Sequence, residues 1–304
     1  MLRAVNLLLL GKAKPRELVL CTFTEKAAYE LRDRFSSAAR KLGYTQDLSE
    51  LKVSTIHGLC NRLITTHRHR TQLGSNYEVL DDLTQLLFIF DHLKEVAQPD
   101  QDGKYLGKWK TKWTAIEGLR DFFNKITEEL VDPDALATAQ HAFLRELGAA
   151  YNAYAKALAS ANRIDFAHLQ KLVYELLEEP EIYEAVTKDV RYLMVDEYQD
   201  TNFIQEQILL KLADRTGNIC VVGDEDQSLY RFRGATVRNI LEFPGRVQKC
   251  EVIKLVTNYR SHRRIVDAYD RWMASSDWSN PGGVAFRYDK KIEPDLDAEL
   301  SAPA

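Results

Sequence analysis

The 304-residue sequence predicts an α/β protein whose parallel sheet is interrupted by an inserted all-helical domain. Short apolar runs alternate with amphipathic segments along most of the chain, which is the pattern of parallel strands covered by helices. Residues 82–160 depart from this pattern, because they contain no convincing strand and repeat apolar residues at helical spacing. We therefore expect a helical insertion between two parts of one α/β domain.

Apolar runs of strand length mark the expected sheet. In chain order they are 18–23 (LVLCTF), 51–55 (LKVST), 192–195 (YLMV), 218–224 (NICVVGD) and 251–256 (EVIKLV). They are rich in Val, Leu and Ile, as is typical of strands that are buried on both faces of a parallel sheet.

Amphipathic segments between these runs mark the expected helices. In chain order they are 1–12, 24–43, 56–67, 202–214, 236–243 and 262–274. Thr24 suits the N-cap of the second helix, and Gly43 suits its end, because glycine tolerates the left-handed backbone that follows many helices. The first helix has no capping residue before it, so we expect the chain to begin inside an element of a longer protein.

Composition restricts the class of protein. The chain is 45% hydrophobic and 28% charged, and its longest aliphatic run is too short to span a membrane. The cysteines Cys21, Cys60, Cys220 and Cys250 have no paired spacing, which favours reduced thiols over disulfides or a zinc site. No signal-peptide pattern follows Met1, so we expect a cytoplasmic protein without a membrane partner. The net charge of −4 is uninformative about nucleic acid, because a global sum can hide a basic groove.

Two adjacent carboxylates, Asp196 and Glu197, follow the apolar run 192–195. Acidic pairs at the carboxyl end of a parallel strand commonly hold a metal ion and activate a water molecule. The alternative is a solvated acidic turn with Tyr198 packed beneath it.

A second stretch with candidate functional residues is CVVGDEDQSLYRFRGA, residues 220–235. Gln227, just past a strand end, could orient a water or contact a terminal phosphate. Aromatic residues alternate with arginines after it, through Tyr230, Phe232 and Arg233, and this pattern suits bases and phosphates of single-stranded nucleic acid. The alternative is a loop whose aromatic rings plug the core and whose arginines are solvated.

Other strand ends also carry candidate residues. Tyr259 and Arg260 lie between a predicted strand and a helix, where a ring can stack on a base and an arginine can reach a phosphate; the alternative is ordinary packing at a helix start. Phe23 could accept a base. Thr24, Thr55 and His57 could hold phosphates, with a hydrogen-bonded core histidine as the alternative for His57.

These stretches follow one another in the order found in a known family. They are TFTEKAA (22–28), STIHGLC (54–60), VDEYQDTN (195–202), GDEDQSLYRFRGA (223–235) and NYRS (258–261). Together they resemble the UvrD/Rep family of superfamily 1 DNA helicases over nearly all of residues 15–275. The resemblance implies a RecA-like motor domain, ATP and Mg²⁺ as cofactors, and single-stranded DNA or a single/double-strand junction as the partner.

The resemblance also implies a role for each candidate in ATP hydrolysis. Asp196 would bind the Mg²⁺ of MgATP, and Glu197 would act as the base that orients the attacking water. Gln227 would sense the γ-phosphate and Arg260 would touch it. Tyr259 would stack on adenine.

A DNA-binding surface is implied in the same way. Its residues would be Phe23, Thr24, Thr55, His57, Tyr230, Phe232 and Arg233. Most relatives have Trp at the position of Phe232, and the smaller ring of Phe offers less area for stacking.

The resemblance divides the chain into segments. Residues 1–81 and 161–275 would form a first motor domain that is incomplete at its amino end, and 82–160 would be the helical insertion. Residues 276–304 would begin a second motor domain or form a loose tail.

The 304 residues contain no phosphate-binding loop of the pattern G-x-x-x-x-G-K-[ST], because Gly11-Lys12 lacks the first glycine and follows a helix. We therefore expect a helicase fragment that does not hydrolyse ATP alone. The whole protein would couple hydrolysis to translocation on single-stranded DNA and duplex unwinding. The alternatives are a non-catalytic module that binds single-stranded DNA, or a half-motor that needs a partner chain to supply the missing parts. Because the strand of this loop is central, we also expect an opened sheet with exposed edges.

Overall fold

The computed structural model describes residues 1–228, 236–279, 285 and 287–295. Its centre is a sheet of four parallel strands in the order β2-β1-β5-β6. The bounds of these strands are β1 (Leu18–Thr22), β2 (Lys52–Thr55), β5 (Tyr192–Val195) and β6 (Ile219–Val221). The α/β fold class with a RecA-like parallel sheet is thus confirmed.

Helices connect and cover the strands. They are α1 (Leu2–Leu9), α2 (Glu25–Lys41), α3 (Ile56–His67), α4 (Asp82–Asp91), α5 (Leu93–Val96), α6 (Lys112–Glu128), α7 (Pro133–Ala137), α8 (Ala142–Ser160), α9 (Phe166–Leu176), α10 (Pro180–Thr187), α11 (Phe203–Asp214), α12 (Val237–Arg246) and α13 (Arg263–Ala274). Thr24 caps α2 as predicted, and Gly43, just after this helix, has a φ of +88°, which a residue with a side chain rarely adopts.

The central strand β1 shows how the sheet is buried on both faces. Leu18 and Leu20 pack into a core with α1 and α2, whereas Val19 and Cys21 pack into a core with α3, α9 and α11. Successive side chains of a strand point to opposite faces, so a run that is apolar throughout is required here.

The segment from α4 to α8 contains a hydrophobic core of its own. Buried residues between positions 80 and 158 form this cluster, and among them Phe123 and Tyr154 are stacked with ring centroids 4.8 Å apart. Tyr154 also donates a hydrogen bond to Asp165 Oδ2 at 2.7 Å, just beyond the cluster. A buried polar contact therefore joins the helical segment to the chain that returns to the main sheet.

Two short parallel pairs lie outside the main sheet and were not predicted. β3 (Glu78–Leu80) pairs with β4 (Arg163–Asp165), and β7 (Thr257–Asn258) pairs with β8 (Glu293–Pro294). The first pair joins the two points where the chain enters and leaves the helical segment. Strands of two or three residues carry too little periodicity to be recognised in a sequence.

One expectation about strands is wrong. Residues 251–256 form no strand, and Ile253 and Leu255 are 68% and 82% exposed, so this apolar run is not a buried one. The four strands form a sheet without a gap, because Leu18 of β1 pairs directly with Tyr192 of β5. Among the strands that the structure describes, β2 and β6 are the outer ones.

No helix in the described ranges is long and apolar enough to cross a membrane.

Candidate active site

The four strands of the main sheet are parallel, so their carboxyl ends lie at one edge. In open α/β sheets this edge is where ligands bind. The predicted residues follow directly: Phe23 and Thr24 come after β1, Asp196 and Glu197 after β5, and the loop with Gln227 after β6.

The acid pair sits in a sharp turn. The Asp196 amide still donates to the Cys21 carbonyl at 2.9 Å, which extends the pairing of β5 with β1 by one residue. Glu197 then adopts a left-handed backbone with φ +53°, and the Tyr198 amide donates to the Val222 carbonyl at 2.9 Å. A left-handed conformation costs a residue with a side chain about 1–2 kcal/mol. The neighbouring strands therefore hold Glu197 in a strained position at the edge of the sheet.

The electrostatic environment of the turn disfavours further negative charge. Although Asp196 reaches solvent, the surrounding protein removes part of its hydration, and this together with the Glu197 carboxylate raises the pKa of Asp196. Burial and the same Glu197 carboxylate raise the pKa of the buried Asp200 to about 6. A cation at this turn would relieve the repulsion between these acids.

A chain of hydrogen bonds joins the acid turn to the loop after β6. Gln199 Nε2 donates to Glu197 Oε2 at 2.7 Å, and the Asp224 amide donates to Gln199 Oε1 at 3.1 Å. Gln227 Nε2 then donates to Asp224 Oδ2 at 2.7 Å. The structure thus brings Glu197 and Gln227 into one network, through two residues that the sequence did not single out.

The loop after β6 is also held from its other side. Lys290 Nζ lies 2.6 Å from Asp224 Oδ1 and 3.1 Å from both Glu225 Oε2 and Asp226 Oδ2. Burial alone would raise the pKa of Asp224, but hydrogen bonds from Lys290 and Gln227 lower it below its ordinary value. Arg287 Nε donates to both carboxylate oxygens of Asp226, at 2.9 and 3.0 Å.

The two threonines predicted to contact DNA serve as helix caps. Thr24 Oγ1 accepts from the Ala27 amide at 3.1 Å, and Thr55 Oγ1 accepts from the Gly58 amide at 2.9 Å. The Thr55 hydroxyl also donates to Glu25 Oε1 at 2.7 Å. These contacts start α2 and α3 at the same edge of the sheet, with their helix N-termini beside the strand ends.

His57 packs inside this edge. His57 Nε2 lies 2.7 Å from Gln170 Nε2, and its ring meets the Phe166 ring edge to face with centroids 5.1 Å apart. Burial lowers the pKa of His57 to about 4, so the ring is neutral at pH 7. Phe23 is half-buried at the end of β1. Three further predicted DNA contacts lie outside the described residues: Tyr230, Phe232 and Arg233.

Tyr259 and Arg260 occupy an exposed turn. Asn258 Oδ1 accepts from the Arg260 amide at 2.9 Å, and the Tyr259 side chain is 76% exposed. Both residues follow β7, which pairs with β8 and not with the main sheet. They lie outside the hydrogen-bonded network that joins Glu197 to Gln227.

The acid pair suits Mg²⁺ better than a metal held by protein alone. Within the described ranges, no group of three or more His, Cys, Asp or Glu side chains is arranged to hold a metal. Mg²⁺ usually keeps several waters and takes one or two protein carboxylates together with substrate phosphates. Two adjacent carboxylates, Asp196 and Glu197, are the kind of protein ligand that this mode of Mg²⁺ binding uses.

Fold and site together define a class of protein: a RecA-like α/β domain with an acid pair at the carboxyl edge of its sheet. The model of the UvrD/REP helicase N-terminal domain matches residues 1–248. The chain belongs to the UvrD/Rep helicase family.

Relatives agree with this assignment. The chain is similar to the ATP-dependent DNA helicase PcrA of Bacillus subtilis, with 32% identity over 281 residues, which cover 92% of this chain and 36% of PcrA. It is also similar to DNA helicase II of Escherichia coli, with 32% identity over 267 residues, which cover 88% of this chain and 35% of that helicase. The chain thus spans about a third of the length of the curated relatives it matches.

Proposed function

We propose that the chain is the first motor domain of an ATP-dependent DNA helicase, and that in the whole protein it couples ATP hydrolysis to movement along single-stranded DNA. The observation that carries this proposal is the network from Glu197 through Gln199 and Asp224 to Gln227. It supports a single hydrolytic site at the carboxyl edge of the sheet, and the similar protein PcrA is an ATP-dependent DNA helicase.

Each residue of the acid turn has a distinct task in this proposal. Asp196 would hold Mg²⁺, which when bound with ATP neutralises charge on the phosphates. Glu197 accepts a hydrogen bond from the attacking water and orients it towards the γ-phosphate. Gln227 donates to the γ-phosphate once its amide leaves Asp224.

Tyr259 and Arg260 complete the nucleotide site only when their exposed turn moves towards the sheet. The Tyr259 ring then stacks on adenine, and the Arg260 guanidinium meets the γ-phosphate. Exposure of both side chains is compatible with such a movement.

DNA would lie across the ends of β1 and β2. In this proposal Phe23 stacks on a base, whereas Thr24, Thr55 and neutral His57 border the phosphates together with the amide groups of the first turns of α2 and α3. Both threonine hydroxyls already accept hydrogen bonds as helix caps. In this proposal the two threonines therefore position these amide groups. Tyr230, Phe232 and Arg233 stay predicted contacts.

We further propose the domain division that the sequence suggests. Residues 82–160 would be a helical insertion domain, and 1–81 with 161–275 the motor domain. The separate hydrophobic core between positions 80 and 158 supports this division. Contacts of Lys290 and Arg287 with the loop after β6 support a start of a second motor domain within 276–304 more than a loose tail.

As a purified chain, the 304 residues would not hydrolyse ATP, since they contain no G-x-x-x-x-G-K-[ST] stretch. Charge-assisted hydrogen bonds to phosphate are worth about 1.5–3 kcal/mol each. Four fewer of them would remove about 6–12 kcal/mol, which turns micromolar binding into none that can be measured.

A half-motor that pairs with a second chain is the other candidate. The outer strand β6 favours it, because Val222 just beyond this strand is 53% exposed and the strand can accept a further parallel neighbour. Sedimentation of the purified chain, alone and mixed with a candidate partner chain, measures the mass of the particle. It thereby distinguishes this candidate from a monomeric motor domain.

Binding of fluorescein-labelled single-stranded DNA, measured by anisotropy at several salt concentrations, tests the proposal. We expect binding that weakens with salt and falls in Phe23→Ala, because stacking on a base contributes about 1–3 kcal/mol. Trp113→Ala is the matched control, since Trp113 is an exposed aromatic residue in the helical segment. No binding by the folded wild-type chain, or equal losses in both variants, would contradict the proposed DNA surface.

A further inference from the structure

Gln199 is a buried side chain that uses both ends of its amide between two segments of the site. It is 1% exposed. Its Nε2 group donates to the Glu197 carboxylate at 2.7 Å, and its Oε1 atom accepts from the Asp224 backbone amide at 3.1 Å. The Gln199 carbonyl is also within 3.5 Å of the Ser228 hydroxyl, which donates to it. No other residue described in the structure hydrogen-bonds to both Glu197 Oε2 and the loop after β6.

Gly223 permits this close approach. A Cβ atom at position 223 would lie 2.5 Å from Gln199 Oε1 and 2.7 Å from Ile240 Cδ1. Real Cβ atoms essentially never show contacts this short, so any side chain at position 223 must displace the Gln199 amide or the loop. The backbone of the loop therefore packs directly against Gln199.

We propose that Gln199 is a positioning residue that holds the Glu197 carboxylate and the Gln227 loop as one hydrogen-bonded unit. Displacement of the loop at Asp224 then moves the Gln199 amide, and with it the Glu197 carboxylate. When the Gln227 amide leaves Asp224 and binds a phosphate instead, the loop moves. That movement thereby changes the position of Glu197, which orients the water. This inference deepens the proposed function and rests on it for the meaning of Glu197 and Gln227.

The chemistry of glutamine explains why other residues would fail here. A glutamate would place a second carboxylate against Glu197 Oε2, and a methionine of similar length would offer neither the donor nor the acceptor. Asparagine has the same amide on a side chain that is shorter by one methylene group. Only a donor and an acceptor at this reach satisfy both partners, and an unpaired buried partner is costly.

Amide hydrogen exchange of Asp224, followed by NMR on the ¹⁵N-labelled chain, tests the coupling without ATP or DNA. The single substitution Glu197→Ala should increase the exchange rate of the Asp224 amide, because the Gln199 side chain loses its hydrogen bond to Glu197. In Gln199→Met, exchange at Asp224 should be about fivefold faster than in the wild type, which corresponds to one lost hydrogen bond. Adding Glu197→Ala to Gln199→Met should then have no further effect.

Controls separate this coupling from general loosening of the fold. Gln207→Met removes a glutamine from the middle of α11 and should leave Asp224 exchange unchanged. Gly223→Ala keeps Gln199 but displaces its amide, so it should reproduce the faster exchange even if Gln199→Met does not fold. The inference would be overturned if Glu197→Ala increased Asp224 exchange equally in the wild-type and the Gln199→Met backgrounds. Unchanged Asp224 exchange in Gly223→Ala would also overturn it. Because no arm uses ATP or DNA, failure of the proposed function would leave this result standing.

Discussion

Glu206 is a fully buried carboxylate that forms an ion pair with one arginine. Its side chain has no exposed area, Tyr198 Oη donates to Glu206 Oε1 at 3.0 Å, and Arg246 forms an ion pair with Oε2. The Arg246 side chain, from α12, is 28% exposed and also pairs with Glu242 at 2.6 Å. Because Tyr198 follows the acid pair directly, this ion pair supports the turn from beneath.

Arg246→Met should therefore destabilise the chain by about 3 kcal/mol, since removing one partner leaves a buried charge unpaired. Urea unfolding measures the loss. Arg238→Met is the matched control, because Arg238 is 70% exposed and pairs with the same Glu242. Its cost should stay below about 1 kcal/mol. Equal costs for both variants would show that Glu206 finds another partner.

Glu128 makes stability depend on pH. Burial raises its pKa from the ordinary value of 4.5 to about 8, against smaller opposing effects from Lys125 and Asn202. The folded chain keeps this proton up to about pH 8, whereas the unfolded chain releases it near pH 4.5. Stability contributed by this group therefore falls as pH rises between these two values.

Glu128→Gln should remove this dependence. The variant should match the wild-type chain in thermal stability at pH 5 and exceed it at pH 8.5. Glu117→Gln, at an exposed position of the same helix α6, should change neither. Equal thermal stability of the variant and the wild-type chain at pH 8.5 would contradict the raised pKa.

At the scale of elements, two threonine caps determine where α2 and α3 start at the carboxyl edge of the sheet. Thr55 both caps α3 and donates to Glu25 in the first turn of α2, so it ties two helix starts together. These caps hold the amide groups of α2 and α3 beside the ends of β1 and β2.

Thr55→Val should cost about 1–2 kcal/mol, because it removes the cap and leaves a buried position without its hydroxyl. Thr55→Ser should keep most of the stability, since serine caps as well as threonine. Paired thermal melts compare the two. If Thr55→Ser loses as much as Thr55→Val, the methyl group and not the hydroxyl supports this edge.

The sequence predicts the elements that are buried and repeated, and misses those that depend on distant partners. The four main strands and the acid turn after 192–195 could be predicted, because each strand lies in a short apolar run with polar residues at its end. β3 and β4 could not, since each exists only by pairing with a strand far away in the chain. The apolar run 251–256 misleads for the opposite reason, because no partner in the described chain covers it.

Site residues divide in the same way. Asp196, Glu197 and Gln227 could be named as candidates from their residue types at strand ends, and the resemblance to the UvrD/Rep family supplied their expected roles. Gln199 could not, since its hydrogen bonds to Glu197 and Asp224 appear only when β5 and β6 lie side by side. The contact of Lys290 with Asp224 could not be predicted either, because 66 positions separate the two residues.

At the scale of the whole molecule, the burial of each cysteine predicts how fast its thiol reacts. Cys21 and Cys60 are 1% and 0% exposed, and burial raises the pKa of Cys21 to about 12. Cys220 and Cys250 are only partly buried.

A thiol-specific reagent should therefore modify Cys220 and Cys250 quickly in the native chain, and Cys21 and Cys60 only after unfolding. Mass spectrometry of peptides from a time course assigns the sites, and urea-unfolded chain provides the fully reactive reference. Fast modification of Cys21 in native buffer would show that the core between β1 and α3 opens readily.

The central claim is that these 304 residues carry the acid pair of an ATP-hydrolysing motor but do not hydrolyse ATP as a purified chain. ATP hydrolysis by the purified chain, with and without single-stranded DNA, tests it most directly beside a chain carrying Asp196→Ala and Glu197→Ala. Our account predicts binding of DNA but no turnover above that double variant. Turnover that DNA stimulates and the double variant abolishes would contradict it, and would show that other residues of this chain hold the phosphates of ATP.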